Sequence, residues 1–197
     1  SVSYASHIPS GGFWGNAHWL EGRDRGEIYT VAEYRTSYDF EKTLDLELLE
    51  GRFFDRNMPT DSVGVVVNQA TLKSLGIEDP LNTRFVQPSY HGYPDEFMPI
   101  IGVVKDFHFE SMDNEIKPMV IHFMPGNWEG KLIIKIGEGN VAETLTFIEG
   151  KWADFSLDRP FDYIWLDEEF SRLFDDEKQT GQILAIFSIL SIFVTCL

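Results

Sequence analysis

The sequence is poor in cysteine and in positive charge, and both shortages limit what the protein can be. Cys196 is its single cysteine, so no disulfide can form within the chain and the redox compartment stays open. Sixteen Lys and Arg face 32 Asp and Glu, for a formal net charge of −16. Because such a surface repels phosphate backbones, nucleic acid is excluded as a partner. A hydrophobic content of 43% over 197 residues excludes intrinsic disorder and suffices for a buried core.

The sequence also lacks the short motifs that carry common chemistry. It has no H-E-x-x-H, no G-x-S-x-G and no glycine-rich phosphate loop. Acidic clusters at 167–169 and 175–177 could host acid-base catalysis, but in so acidic a chain a solvated helix face explains them better. We therefore predict no catalytic residues, no metal and no cofactor. None of the histidines has metal-ligand spacing; they are His7, His18, His91, His108 and His122.

The longest stretch without charge lies at the end of the chain. Residues 183–197 read ILAIFSILSIFVTCL. A run of this length is often a buried C-terminal helix, but this one has neither a polar stripe at helical spacing nor a cap. It therefore favours the start of a membrane helix, and with the charged segment before it predicts one continuous helix over 167–197. No targeting segment precedes Ser1, so we expect any such segment to lie outside this sequence.

Hydrophobic periodicity predicts a mixed α+β fold, and its first half is read as follows. Residues 1–26 are mainly loop with a strand at each edge. Residues 27–34 alternate as a strand, Asp39 caps a short helix through Leu44, and an extended segment ends at Gly51. A second unit has a strand at 63–67, an Asn68 cap, a helix over 69–75 closed by Gly76, and strands at 83–86, 99–109 and 119–123.

A third unit, residues 131–166, has the pattern of a β-α-β motif. Strands are expected at 131–136 and 161–166, and Asn140 is placed to cap the helix between them. Apolar residues recur along that helix with a spacing that forms one stripe: Val141, Leu145, Ile148, Trp152 and Phe155. The spacing predicts that the stripe packs against the sheet.

Four separated blocks of this sequence resemble one protein family. They are YDFEKTLDLELLEGRFF at 38–54, VVVNQATLKSL at 65–75, IGVVKDFHFESMDNEIKP at 101–118 and FDYIWLDEEFSRLFDDEKQTG at 161–181. In this order they resemble the extracytoplasmic core domain of MacB-like and FtsX-like ABC transporter permeases, especially the Bacteroidetes-type version. The resemblance implies a porter-like α+β subdomain (1–54 and 116–170), interrupted by a small β-rich Sabre-like insertion (55–115), with a stalk and the start of a transmembrane helix at 171–197.

The resemblance also implies a function. Such a domain is non-catalytic, lies on the periplasmic side of the inner membrane, and passes the motion produced by a cytoplasmic ABC ATPase to the outside, a process called mechanotransmission. The implied partners are that ATPase through the full-length permease, a second permease copy, a periplasmic or outer-membrane protein, and the inner membrane through the C-terminal helix.

Two other classes of function remain open from the residues alone. A secreted glycan- or peptide-binding module would use loop tryptophans, for which Trp14, Trp19 and Trp128 are candidates. Such aromatic residues, Phe13 among them, more often pin a loop to its domain. A carboxylate-dependent hydrolase would place two buried carboxylates roughly 5 to 9 Å apart in a cleft.

Overall fold

The computed structural model describes residues 1–8, 14–88, 94–107, 116–124, 130–137, 139–155, 159–169 and 171–172, and positions 184, 186–188, 191 and 194–195. Within them the chain is α+β with a nine-stranded sheet. The strands are β1 Val2–Ala5, β2 Trp14–Leu20, β3 Tyr29–Thr36, β4 Leu48–Gly51, β5 Val65–Asn68, β6 Arg84–Gln87, β7 Glu96–Val104, β8 Met119–Phe123 and β9 Lys131–Ile134. The helices are α1 Phe40–Leu44, α2 Gln69–Leu75 and α3 Val141–Phe155.

Six of the strands form a closed ring of hydrogen-bonded neighbours. The pairing runs β2–β6–β7–β5–β8–β3 and returns from β3 to β2. The ring closes because β2 changes partner along its length: residues 14–18 pair with β3, whereas Trp19 and Leu20 pair with β6. Strand β4 pairs with β7 outside the ring, and β1 joins β3 to β9.

Among the described residues the core consists of two clusters. Every ring strand contributes to the first, the ring cluster, which also receives two side chains from α2 and the turn after it: Leu20, Val31, Val65, Val67, Leu75, Ile77, Phe85, Met98, Ile100, Val103 and Val120. The second, the outer cluster, packs α1 and the segment after β4 against the other side chains of the sheet: Ala5, Ala32, Tyr34, Phe40, Phe53, Phe54, Val66, Val104, Met119, Ile121 and Phe123. Alternation along β3, β5 and β8 therefore feeds both clusters.

Local sequence signals explain helix α2. Asn68 accepts a hydrogen bond from Thr71 N at 3.1 Å, so the predicted cap is confirmed. The same side-chain oxygen accepts from Met119 N at 3.0 Å, and the Asn68 amide donates to Lys117 O at 3.0 Å. Gly76 ends the helix with φ of 60°, a left-handed conformation that suits glycine. One buried side chain thus both starts the helix and holds it to β8.

Three local predictions are wrong. Asp39 occupies the position before α1 but its side chain caps nothing, because the carboxylate pairs with Lys42 and Arg56 instead. Residues 161–165 form no strand, and α3 has no buried residue, so its stripe does not pack against the sheet as predicted. The indole of Trp152 instead donates to Arg159 O at 2.9 Å, within the segment that follows the helix.

Most of the helix predicted over 167–197 lies outside the described residues and stays a prediction. The described positions after residue 183 have helical backbone. Within the part of the chain that the structure describes, no helix is both long enough and apolar enough to cross a membrane.

The exposure of α3 changes the expected cost of shortening its largest side chain. A tryptophan buried against a sheet would cost roughly 3 to 5 kcal/mol on truncation. Because 36% of Trp152 is exposed, we expect Trp152→Ala to lower the free energy of unfolding by only about 1 kcal/mol. Urea unfolding measures this, with Phe155→Ala, at an 87% exposed position, as the control that changes little. A loss above about 3 kcal/mol would contradict the exposed placement.

Candidate functional site

A buried polar cluster lies on the side of the sheet that carries the ring cluster. It consists of His18 on β2, Glu33 on β3 and His122 on β8, and we call it the His–Glu–His cluster. His18 Nε2 donates to Glu33 Oε1 at 2.8 Å, and His122 Nε2 lies 3.5 Å from the same oxygen. The two imidazole rings are stacked, with centroids 6.5 Å apart. One carboxylate oxygen of Glu33 therefore lies beside side chains from both neighbouring strands, β2 and β8.

The other carboxylate oxygen of Glu33 has partners of its own. Asn16 Nδ2 donates to Oε2 at 2.6 Å, and a guanidinium nitrogen of Arg35 lies 3.9 Å from it. Burial by itself raises the pKa of Glu33, but the neighbouring His122 and His18 side chains outweigh that effect and hold the pKa well below its usual range. The ionised carboxylate therefore stabilises the fold above its ordinary pKa of 4.5, and this stabilisation is lost as pH falls further.

No spacing of residues signals this cluster. His122 lies in the strand predicted at 119–123, His18 lies in the segment expected to be mainly loop, and Glu33 is the only acidic residue between Tyr29 and Thr36. An acidic residue in the middle of a strand was the available signal, because a carboxylate in such a place needs a partner. Its partners come from strands distant in sequence, so the signal does not name them.

A shallow cleft opens beside α1. The Arg56 guanidinium lies over the Tyr38 ring at 4.9 Å and donates to Asp39 Oδ2 at 2.6 Å. Hydrogen bonds from Arg56 and Lys42 lower the pKa of the Asp39 carboxyl. Arg52, also in the cleft wall, pairs with Asp61. These cations are paired with carboxylates of the chain itself, so the cleft does not present uncompensated positive charge.

Aromatic rings line the segment after α3. Phe161, Tyr163 and Trp165 occupy alternate positions, and successive ring centroids lie 5.6 Å apart. Trp152 adjoins the row, 6.5 Å from Phe161. The neighbouring face of α3 is open, with Phe147 64% exposed. These residues form an apolar surface immediately before the segment for which a stalk is predicted.

The structure also locates the remaining candidates from the sequence. Trp19 is buried in β2, with Arg25 over its ring at 5.2 Å. It therefore packs within the domain and is not an open ligand-binding side chain. His7 is half-buried; burial and the nearby Arg35 charge lower its pKa. Asp167 and Glu168 are exposed. Phe13, the side chain of Trp14, His91, His108, Trp128, the 175–177 cluster and Cys196 lie outside the described residues. Across the described ranges no three His, Cys, Asp or Glu side chains form a group that could hold a metal ion.

Comparison with known proteins identifies the fold. No family model and no curated protein sequence matches the chain. Among solved structures, the periplasmic region of MacB from Actinobacillus actinomycetemcomitans matches with a TM-score of 0.62 and 14% identity, over 88% of this chain and 75% of that one. A domain of a protein described as a permease, from Porphyromonas gingivalis, matches with a TM-score of 0.56 and 16% identity, over 84% and 78%.

A third solved structure extends the likeness to Gram-positive bacteria. The extracellular domain of their noncanonic ABC-type transporter YknZ matches with a TM-score of 0.52 and 12% identity, over 78% of this chain and 74% of that one. At these identities the likeness concerns the fold, and it spans most of both chains in each pair. The chain therefore has the α+β fold of the extracytoplasmic domains of MacB-like ABC transporter permeases.

Proposed function

We propose that the chain is a non-catalytic extracytoplasmic domain of an ABC transporter permease. In this role it couples ATP hydrolysis by a separate cytoplasmic ATPase to export, or to other work outside the membrane, by mechanotransmission. The observation that carries the proposal is the match of 88% of the chain to the periplasmic region of MacB. The match to the extracellular domain of YknZ supports the same role, because that protein is also an ABC-type transporter.

The proposed role requires a defined set of partners. The domain lies on the periplasmic side of the inner membrane and is held there by the C-terminal helix. The cytoplasmic ATPase acts on it through the full-length permease, which pairs with a second copy. A periplasmic or outer-membrane protein receives the movement. The partly exposed row of aromatic rings at 161–165 supports a mechanical role, since it precedes the predicted stalk and leaves apolar surface for contacts outside the domain.

The proposal also divides the chain by role. Residues 1–54 and 116–170 form the porter-like part, 55–115 the Sabre-like insertion, and 171–197 the stalk and the start of the membrane helix. Strands β5, β6 and β7 of the insertion pair into the same sheet as the porter-like strands. The two proposed parts are therefore joined by continuous hydrogen bonding within one sheet rather than by a flexible linker.

A break in the stalk should separate folding from transport. In the full-length permease, Glu177→Pro removes one helical hydrogen bond and kinks the predicted helix at a cost of about 3 kcal/mol. We expect transport to fall by about tenfold or more, because a tenfold change needs only about 1.4 kcal/mol. ATPase binding and the folding of the domain should persist. The measurement is transport by the permease with its ATPase in proteoliposomes, with Glu177→Ala as the helix-compatible control.

Two results would contradict the proposed function. One is full transport by the Glu177→Pro permease while Glu177→Ala is also active. The other is turnover of a nucleotide, peptide or glycoside by the purified chain at a rate that is abolished by substituting Asp167 or Glu168. In the second case an enzymatic role would replace mechanotransmission.

A further inference from the structure

The His–Glu–His cluster places two buried bases around one buried acid. His18 is fully buried and Glu33 is 4% exposed, while the His122 side chain is 16% exposed. His18 Nε2 hydrogen-bonds to Oε1 of Glu33 at 2.8 Å, whereas His122 Nε2 lies 3.5 Å from the same oxygen and has no hydrogen-bond partner within the described residues. Buried ionisable groups are costly, so three of them on neighbouring strands of the ring require an explanation beyond packing.

The surroundings of the cluster decide which charges act on it. From β3, Arg35 reaches Glu33 Oε2 at 3.9 Å, and about a third of its side chain is in solvent, which screens it. From β2, Asn16 donates to that same oxygen. Strands β6 and β5 contribute apolar groups: Phe85 meets the His18 ring edge-on, and Val65 pairs opposite His122. Oε1 is thus left to the two imidazoles in an apolar environment.

The hydrogen bonding of His18 leaves one of its nitrogens available. When Nε2–H donates to Glu33, the neutral ring keeps a lone pair on Nδ1, and this buried atom has no hydrogen-bond partner within the described residues. A proton added to either imidazole forms a pair with Glu33 instead of an isolated charge. Such a pair is far less costly in a low-dielectric interior than a lone imidazolium.

We propose that the His–Glu–His cluster is a buried proton-binding site, in which acidification loads a proton onto the imidazole pair and Glu33 serves as its counter-ion. The proton is held where β2, β3 and β8 meet. Without a carboxylate, two buried imidazoles would take up protons at low pH by opening the ring of strands. With Glu33 as the counter-ion, the ring stays closed at that pH. This property is independent of the mechanotransmission proposal, since it concerns the folded chain alone.

The test compares the full chain with its Glu33→Gln variant at two pH values. Glutamine keeps a carbonyl oxygen for the imidazole donors but removes the counter-ion. We compare the folding equilibrium constant of the variant with that of the wild type at each pH. By proton linkage, we expect this ratio to be about ten times lower at pH 5.5 than at pH 8. Urea unfolding at each pH measures it. An equal ratio at both pH values would overturn the proposal.

A matched control uses a second buried carboxylate. Asp61 is fully buried and pairs with Arg52, which stays charged throughout this range, so Asp61→Asn should cost the same at pH 8 and pH 5.5. If the cost of Asp61→Asn instead increases between pH 8 and pH 5.5 by as much as the cost of Glu33→Gln, the assignment to the histidines is overturned. If Glu33→Gln does not fold, ¹⁵N NMR of the wild-type imidazoles decides: a ring that charges by pH 5.5 in the folded chain supports the site, and two rings that stay neutral overturn it.

Discussion

Arg52→Met should lower the free energy of unfolding by roughly 3 to 5 kcal/mol at pH 7, because it leaves a buried carboxylate without its counter-ion. Arg52 donates to both oxygens of Asp61, at 2.8 and 2.5 Å, and Asp61 is fully buried. Asp55 N adds a third hydrogen bond to that carboxylate, at 2.7 Å. Methionine fills much of the arginine volume, so the loss reports the charge rather than a cavity.

A second arginine on the same sheet provides the control for this substitution. Arg84 also donates to both oxygens of its partner, Glu21, at 2.5 and 2.9 Å through Nε and one Nη atom, but the two side chains are 51% and 38% exposed. Arg84→Met should therefore cost no more than about 1 kcal/mol. Chemical denaturation of both variants measures the difference. Equal losses would show that burial does not determine the strength of the Arg52 pair.

The Asp61 pair also has a defined pH dependence. Burial raises the pKa of Asp61, but the hydrogen bonds from Arg52 and from the Asp55 backbone outweigh it, and the net pKa is lowered. The pair contributes its full stability above the ordinary aspartate pKa of 3.8 and loses it as pH falls below that value. The difference in the free energy of unfolding between the wild type and Arg52→Met should therefore become smaller in acid.

Gly102→Ala should cost roughly 3 kcal/mol, because strand β7 passes against the chain at Arg52 with no room for a side chain. A Cβ built on Gly102 would lie 2.2 Å from the carbonyl oxygen of Arg52. The obstacle is backbone, so no rotamer change relieves it. Gly51 pairs with Gly102 in the β4–β7 ladder and itself has φ of +72°, where glycine is strongly preferred. Close approach at this point also carries Arg52 to within reach of Asp61.

Gly150 offers the opposite case within the same chain. It lies in α3, and a Cβ added there would meet nothing within 4 Å. Gly150→Ala should therefore raise stability by up to about 1 kcal/mol through helix propensity. Thermal unfolding of Gly102→Ala and Gly150→Ala measures the expected loss and the expected gain of stability. A Gly102→Ala protein within about 0.5 kcal/mol of wild type would contradict the tight packing of β4 on β7.

Elements whose signals lie within a few residues of one another were predictable. Helix α2 was expected at 69–75 and strand β8 at 119–123, and both have those bounds, because a cap, a left-handed glycine and alternation act locally. The family blocks likewise indicated the fold that the solved structures share. The same blocks contain Gly51 and Arg52, although the sequence alone does not indicate the structural roles of these two residues.

Pairing between distant segments depends on the tertiary structure. Alternation at 161–166 predicts extended backbone, but a strand also needs a neighbour to share its hydrogen bonds, and the described segment 161–165 forms none. The closed ring likewise arises because β2 changes partner between His18 and Trp19, which no local pattern encodes. His18, Glu33 and His122 meet through the pairing of β3 with β2 and β8. Periodicity specifies which face of a strand is apolar, whereas the neighbour on each edge is chosen by the packing of the whole chain.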